Sequence, residues 1–202
     1  MTARRGPLVL ASGNPGKLEE FTALLAADGF DLRAQSAHGV ADADETGLTF
    51  IENALLKARH AARATGLPAL ADDSGLCVDA LDGAPGLYSA RYAGPGADAE
   101  RNIDRLLAAL AGVPDDRRGA EFVCALALLR HADDPRPIVV EGRWRGQVLR
   151  ARRGAGGHGY DPVFLDPGLG LSAAEMPPEV KNRLSHRGQA LARLRERLRQ
   201  RC

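Results

Sequence analysis

Pro7-Leu-Val-Leu-Ala-Ser-Gly-Asn-Pro-Gly-Lys17 is the stretch that decides the fold class. Its first five residues are apolar and suit a short buried strand, and the next six are dense in turn formers. Leu18, Phe21, Leu24 and Leu25 then recur at helical spacing, and Gly29 closes that helix. A short strand is expected near Asp31–Gln35. Strand, glycine turn, helix and strand in that order open an α/β domain.

The rest of the chain extends this pattern. Thr49-Phe-Ile-Glu52 is a capping box, and it predicts a helix to about Thr65 that Gly66 and Pro68 end. Asn53 and Lys57 share one face of it at i, i+4, beside the small residues Ala54, Ala58 and Ala61. Pro68–Ala71 reads as a short strand that delivers Asp72-Asp-Ser-Gly75 into a tight turn, with a second strand near Leu76–Ala80. A Gly/Pro-rich loop runs from Asp82 to Gly96. A helix from about Ala99 to Ala111 would bury Ile103, Leu106, Leu107 and Leu110. Strands near Glu121–Arg130 and Ile138–Leu149 flank Asp133-Asp-Pro-Arg-Pro137 and read as an antiparallel hairpin. Another Gly-rich loop, Arg153–Asp161, precedes a last helix with Leu191, Leu194 and Leu198 on one side and Ser185 as its N-cap. The expected fold is α/β: one domain over residues 1–202, with a long mixed central sheet flanked by helices, and two lobes with an active-site cleft between them.

Composition narrows the function classes. The chain has 202 residues, 45% of them hydrophobic, enough for a sizeable core. Its 27 basic and 26 acidic residues leave a formal charge of +1. No global field therefore points to nucleic acid or an anionic membrane, and any polyanion site must be local. Cys77, Cys124 and Cys202 are scattered and form no CxxC pair, so a disulfide framework or zinc site is not expected and a reducing cytoplasm is the natural setting. The apolar run Leu8–Ala11 is too short for a signal peptide or a membrane span.

Several segments carry chemistry, each with a plainer reading beside it. Ser12-Gly-Asn-Pro-Gly-Lys17 follows a strand and opens a helix, where backbone N–H groups and the helix dipole suit phosphate. It is also an ordinary turn, and it is not a Walker A loop, because Leu18 stands where Ser or Thr is required. Adjacent Asp72 and Asp73 repel, which a nearby cation would relieve; hard oxygen ligands suit Mg²⁺. A solvated turn would serve as well. Asp42, Asp44 and Glu45 form a second acidic cluster, or a solvated loop. Gly156-Gly-His-Gly-Tyr-Asp-Pro162 offers a nucleotide base a stacking surface and backbone edges, or is a structural loop. Lys181 with Ser185-His-Arg-Gly188 gathers cationic groups around a helix start, or leaves them in solvent. Together these supply phosphate donors, a metal-binding acidic pair, basic neutralisers and a base-binding loop.

In this combination the chain resembles the inosine/xanthosine triphosphate pyrophosphatase family. The resemblance rests on Ser12-Gly-Asn-Pro-Gly-Lys17, Glu45-Thr-Gly-Leu-Thr-Phe-Ile-Glu-Asn-Ala54, Ala71-Asp-Asp-Ser-Gly75, Gly83-Ala-Pro-Gly-Leu-Tyr-Ser-Ala-Arg91, Gly159-Tyr-Asp-Pro162 and Lys181 through Ser185-His-Arg-Gly188. These occur in family order and span nearly the whole chain. The resemblance implies hydrolysis of ITP, dITP and XTP to the monophosphate and pyrophosphate, with Mg²⁺ as cofactor, purine nucleoside triphosphates as small-molecule partners and a homodimer. It implies that Ser12, Gly13, Asn14, Pro15, Gly16 and Lys17 hold the triphosphate and that Lys57 contacts phosphate. Glu45 and Asp73 would bind the metal, Asp73 being also the general base, and Ser74 would hold the nucleotide. His158, Gly159, Tyr160, Asp161, Lys181, His186 and Arg187 would surround base and sugar. Position 158 is His where the family commonly has a Phe ring, and Asp44 is an alternative to Glu45 as ligand. Two rivals are a Maf-like nucleotide pyrophosphatase, which tends to carry Ser-Pro-Arg after the first strand, and a non-catalytic nucleotide-binding regulator, against which the pair Asp72 and Asp73 argues.

Overall fold

The computed structural model describes residues 6–13, 15–25 and 29–200. Leu8, Val9 and Leu10 are all buried in strand β1 (Gly6–Leu10), as the unbroken apolar run requires of a strand covered on both faces. Helix α1 (Pro15–Leu25) begins with proline, whose fixed φ and missing N–H suit a first helical position. Strand β2 (Phe30–Ala34) pairs with β1 in parallel, Gly6 opposite Phe30 and Leu10 opposite Ala34.

Helix α2 (Phe50–Thr65) has the expected bounds. The Thr49 hydroxyl accepts the Glu52 N–H at 3.1 Å, and the Glu52 carboxylate accepts the Leu48 N–H at 2.7 Å. Gly66 ends the helix with φ 68°, its N–H bonded to Ala62 O. Strand β3 (Ala69–Val78) pairs with β1 in parallel through Val9 opposite Ala69. Here the structure differs from the sequence reading: Asp72-Asp-Ser-Gly75 is no turn between two strands but the middle of one continuous strand.

Helix α3 (Ala99–Ala109), capped by Asp98 on the Arg101 N–H, buries Ile103 and Leu106. Strands β4 (Gly119–Leu129) and β5 (Ile138–Val148) are neighbours in the sheet. The short strands β6 (Phe164–Asp166) and β7 (Leu171–Ser172) extend it by antiparallel pairing with β5 and with each other. Helices α4 (Pro178–Leu184) and α5 (His186–Gln200) follow. The seven strands among the described residues run in the order β2-β1-β3-β4-β5-β6-β7 in a mixed sheet flanked by helices.

The chain divides into two compact units, each with its own core, and β3, β4 and β5 each contribute one end to either unit. The first comprises Met1–Asp73, Ala125–Glu141 and Ala190–Cys202. Its core is rich in alanine: Ala54, Ala58, Ala61 and Ala62 of α2 pack with Ala69, Ala71, Ala125 and Ala127 of the sheet. The second comprises Ser74–Cys124 and Gly142–Gln189, and its core is aromatic, with Phe122, Trp144 and Phe164 in mutual contact.

Arg118 staples this second unit. It is buried, and its guanidinium donates to the carbonyls of Val148 at 2.8 Å, Leu110 at 2.7 Å and Leu149 at 2.9 Å. One side chain thus ties the end of α3 to the end of β5. Arg118→Leu strands those carbonyls beside an apolar chain. The expected outcome in denaturant unfolding is a loss of about 3 kcal/mol. A change below about 0.5 kcal/mol, the usual scale for a surface substitution, would show that the three bonds are dispensable.

Candidate active site

In the first unit, β3 carries the two acidic residues. Successive side chains of a strand point to opposite faces, so Asp72 and Asp73 diverge instead of sharing one cation. Each has its own lysine. Lys17, in the first turn of α1, donates to Asp72 Oδ1 at 2.5 Å. Lys57, from α2, donates to Asp73 Oδ1 at 2.7 Å and to Glu45 Oε1 at 2.9 Å.

Local structure explains how Glu45 arrives there. Asn53 is buried on α2 and accepts the Gly47 N–H at 2.8 Å, which holds the loop ahead of the helix. A Cβ on Gly47 would lie 2.6 Å from Glu52 Cβ and 2.7 Å from Asn53 Oδ1, so only glycine fits. Glu45 is half-buried on Lys57, whereas Asp44 is exposed. The geometry thereby favours Glu45 over Asp44 as the partner of Asp73. The loop-positioning role of Asn53 was not foreseen; its i, i+4 spacing to Lys57 was the available signal.

Burial is the first cause that pushes Asp73 above the ordinary aspartate range. The Glu45 and Asp72 charges add to it, and Lys57 opposes it. Burial alone would lower Lys57, but its pairing with Asp73 and Glu45 outweighs this and raises it. The folded protein therefore holds the Asp73 proton more tightly than the unfolded chain does. Ionising Asp73 costs stability as pH rises through its folded pKa. The contribution of Lys57 has the other course: it is complete below the ordinary lysine value and is lost only as pH rises through the raised one.

Two carboxylates that converge on one cation, with oxygen donors only, fit a divalent ion such as Mg²⁺. Among the described residues no three His, Cys, Asp or Glu side chains gather as a metal site. The remaining ligands of such an ion would be waters and substrate oxygens, as Mg²⁺ commonly retains. Beside this pair lies the turn into α1. Ser12 is half-buried, Gly16 exposed and Lys17 half-buried, while Asn14 lies outside the described residues. Gly13 is a close approach, because a Cβ there would meet Asp42 Oδ2 at 2.8 Å. Gln35 holds that carboxylate by donating to Asp42 Oδ1.

The second unit gathers the other site residues. Asp161 is buried, and its Oδ2 accepts from Lys181 Nζ at 2.5 Å and from the His158 N–H at 2.7 Å. It therefore fixes the Gly-rich loop, with His158 exposed and Gly159 half-buried. Tyr160 is taken into the core and donates its hydroxyl to Ser89 O at 2.8 Å; burial raises its pKa. Ser89 in turn donates to Gly86 O and accepts the Leu76 N–H. The Ser185 hydroxyl accepts the Gly188 N–H at 3.1 Å at the start of α5, as expected of an N-cap. His186 lies flat on Phe122, centroids 4.8 Å apart and 11° between planes. Arg187 is buried and donates to Ser74 Oγ at 3.4 Å. The partnership of Phe122 with His186 left no signal in the sequence, since 122 lies inside an apolar strand.

The chain is similar to known proteins over nearly its whole length. A model of the Ham1 family matches residues 8–197. A Methylococcus capsulatus protein named dITP/XTP pyrophosphatase is 61% identical over 195 residues, 96% of this chain and 97% of that one. A Yersinia pseudotuberculosis protein of the same name is 58% identical over 192 residues, covering 95% and 98%. Among solved structures, a Coxiella burnetii HAM1 protein superposes with TM-score 0.90 at 47% identity, covering 96% of this chain and 98% of that one. The Staphylococcus aureus Ham1 protein gives 0.87 at 38% identity, covering 97% and 100%.

The electrostatics of Asp73 can be read directly by carbon NMR titration of the metal-free protein. Its carboxyl midpoint is expected above the ordinary value of about 3.9, and higher again in Lys57→Met, which removes its lowering partner. A midpoint at the ordinary value, or one that falls in the variant, contradicts this account.

Proposed function

The chain belongs to the Ham1 family, and from that membership we propose that it hydrolyses deaminated purine nucleoside triphosphates, ITP, dITP and XTP, to the monophosphate and pyrophosphate. This removes such nucleotides from the pool. The observation that carries the reading to residue level is the convergence of Asp73 and Glu45 on Lys57. A general base, a divalent-ion site and a phosphate-neutralising cation are what cleavage between the α and β phosphates requires.

On this reading Glu45 and Asp73 would hold Mg²⁺, which when bound neutralises and orients the triphosphate. Ser12, Gly13, Asn14, Pro15, Gly16 and Lys17 cradle the triphosphate, using the start of α1 and the lysine charge. Asp73 takes a proton from the attacking water. Lys17 and Lys57 stabilise the negative charge that develops as pyrophosphate leaves the α-phosphorus. Ser74, His158, Gly159, Tyr160, Asp161, Lys181, His186 and Arg187 serve the nucleoside, Tyr160 and Asp161 by holding the loop and His186 and Arg187 as hydrogen-bond donors. We assign a homodimeric, cytoplasmic enzyme acting on free nucleotides, with neither nucleic acid nor membrane as partner. Among the described residues no helix is long and apolar enough to cross a membrane.

Product analysis tests the reaction. ITP should give IMP and pyrophosphate, and IDP with orthophosphate would refute the bond assigned. Parallel assays with dUTP and ATP separate this substrate class from that of the Maf-like pyrophosphatases. Asp73→Asn should stay folded yet lose on the order of 10²–10⁴-fold in turnover; a folded variant at half the wild-type rate removes Asp73 from the mechanism.

Base reading has its own test. Hypoxanthine and xanthine present a 6-keto acceptor where adenine presents an amino donor. A buried donor facing a donor is left unpaired, at about 1–3 kcal/mol or more when charged. Arg187→Ala should therefore lower the ITP-to-ATP ratio of kcat/KM, chiefly by losing ITP activity. An unchanged ratio with both rates reduced would confine Arg187 to phosphate binding or to its contact with Ser74.

A further inference from the structure

Lys57 touches both members of the proposed metal pair at once, through a single nitrogen. We infer that its ammonium is a resident counter-ion at the point where Glu45 and Asp73 would take a divalent cation, and that cation entry expels it. This inference rests on the reading of Glu45 and Asp73 as metal ligands.

The argument is geometric. Nζ donates to Glu45 Oε1 at 2.9 Å and to Asp73 Oδ1 at 2.7 Å, so the oxygens that would face the metal face the ammonium instead. Two cations cannot share those oxygens without strong like-charge repulsion in a half-buried setting. Nor does the neighbouring carboxylate offer a refuge, because Asp72 is already paired to Lys17 and points to the other face of β3. The backbone of Lys57 is fixed by the alanine face of α2, with Ala54, Ala58 and Ala61 fully buried. Exchange therefore needs only rotation of the flexible lysine stem, with no movement of the helix. The incoming triphosphate is the natural acceptor for the released ammonium. Metal and nucleotide uptake become coupled: an ion entering alone displaces Lys57 from both carboxylates, whereas an ion arriving with phosphate gives it a new partner.

The coupling makes a demand opposite to that of a simple supporting role. In nucleotide-free protein Lys57 opposes the metal, so removing its charge tightens ion binding even as it impairs catalysis. The test is electron paramagnetic resonance titration with Mn²⁺ on nucleotide-free wild type, Lys57→Met, Glu45→Gln and Asp73→Asn. Lys57→Met should bind Mn²⁺ at least tenfold more tightly than wild type. Equal or weaker binding, with dependence on Glu45 and Asp73 intact, overturns the exchange alone. Binding unaffected by both Glu45→Gln and Asp73→Asn overturns the metal pair and the exchange with it. Should Lys57→Met fail to fold, the wild type still decides. With lysines labelled at Nζ, Mg²⁺ titration should shift the Lys57 signal and leave that of Lys17 in place. A Lys57 signal unmoved at saturating Mg²⁺ refutes the displacement.

Discussion

Two adjacent carboxylates in the middle of a buried strand are the constraint around which the first unit is arranged. Asp72 and Asp73 are 1% and 7% exposed, and two such neighbours cannot both stay ionised in a dry strand without counter-charges. The period of the strand sends them to opposite faces, so their cations must come from different elements. Lys17 comes from α1 and Lys57 from α2. Breaking a buried pair by removing one partner typically costs about 3–5 kcal/mol, whereas an exposed pair contributes about 0–1 kcal/mol. The ion pairs Arg33–Asp31, Arg63–Asp133 and Arg150–Asp115 are exposed and belong to the second kind. The lysine pairs on β3 decide the arrangement of the unit; these others decorate its surface or that of its neighbour.

The two cores suit different tasks. Alanine contributes little apolar area, so the Ala54, Ala58, Ala61 and Ala62 face of α2 is a poor source of hydrophobic stabilisation. Its value is proximity, since small side chains let the helix approach the sheet closely enough for Lys57 to reach Asp73. Fully burying a phenylalanine contributes about 1.5–3 kcal/mol, and the aromatic group of the second unit adds directional ring contacts to that. Phe122 touches Trp144, Phe164 and His186, so one ring belongs both to the core and to the support of a site residue.

How much of this was legible in the sequence depended on how local the cause was. The bounds of α2 followed from Thr49, Glu52 and Gly66, which act within one turn of the helix they define. Strand β1 and the apolar face of α5 were equally plain, with Leu191 and Leu194 buried as their spacing requires. Asp72-Asp-Ser-Gly75 misled because its composition is that of a turn; the lysines that make it tolerable in a strand lie 55 and 16 residues away. Strands β6 and β7 have three and two residues, too few for a period, and the seven-residue α4 opens on Pro177 and Pro178. At the site, residue types were legible and partners were not. The contacts of Lys57 with Glu45 and Asp73, and of the Tyr160 hydroxyl with Ser89 O, join residues 12, 16 and 71 positions apart, beyond the reach of any local pattern.

The two groups of site residues are held by different kinds of bond, and this bears on the roles proposed for them. Of the residues proposed for the nucleoside side, three are fixed by bonds to backbone, Asp161 to the His158 N–H, Tyr160 to Ser89 O and Ser185 to the Gly188 N–H, and Lys181 is tied to Asp161 by an ion pair. His186 is stacked on Phe122 and Arg187 is buried beside Ser74, so on the proposed reading both donors are held by the fold, the condition under which a mismatched base is rejected most strongly. The phosphate-side residues are held by side-chain ion pairs, Lys17 to Asp72 and Lys57 to Asp73 and Glu45. An ion pair can be traded for another of equal charge, and a polyanion accompanied by a cation offers both halves of the trade. On the proposed roles, base recognition would fall to the first group and the exchange of cations with substrate to the second.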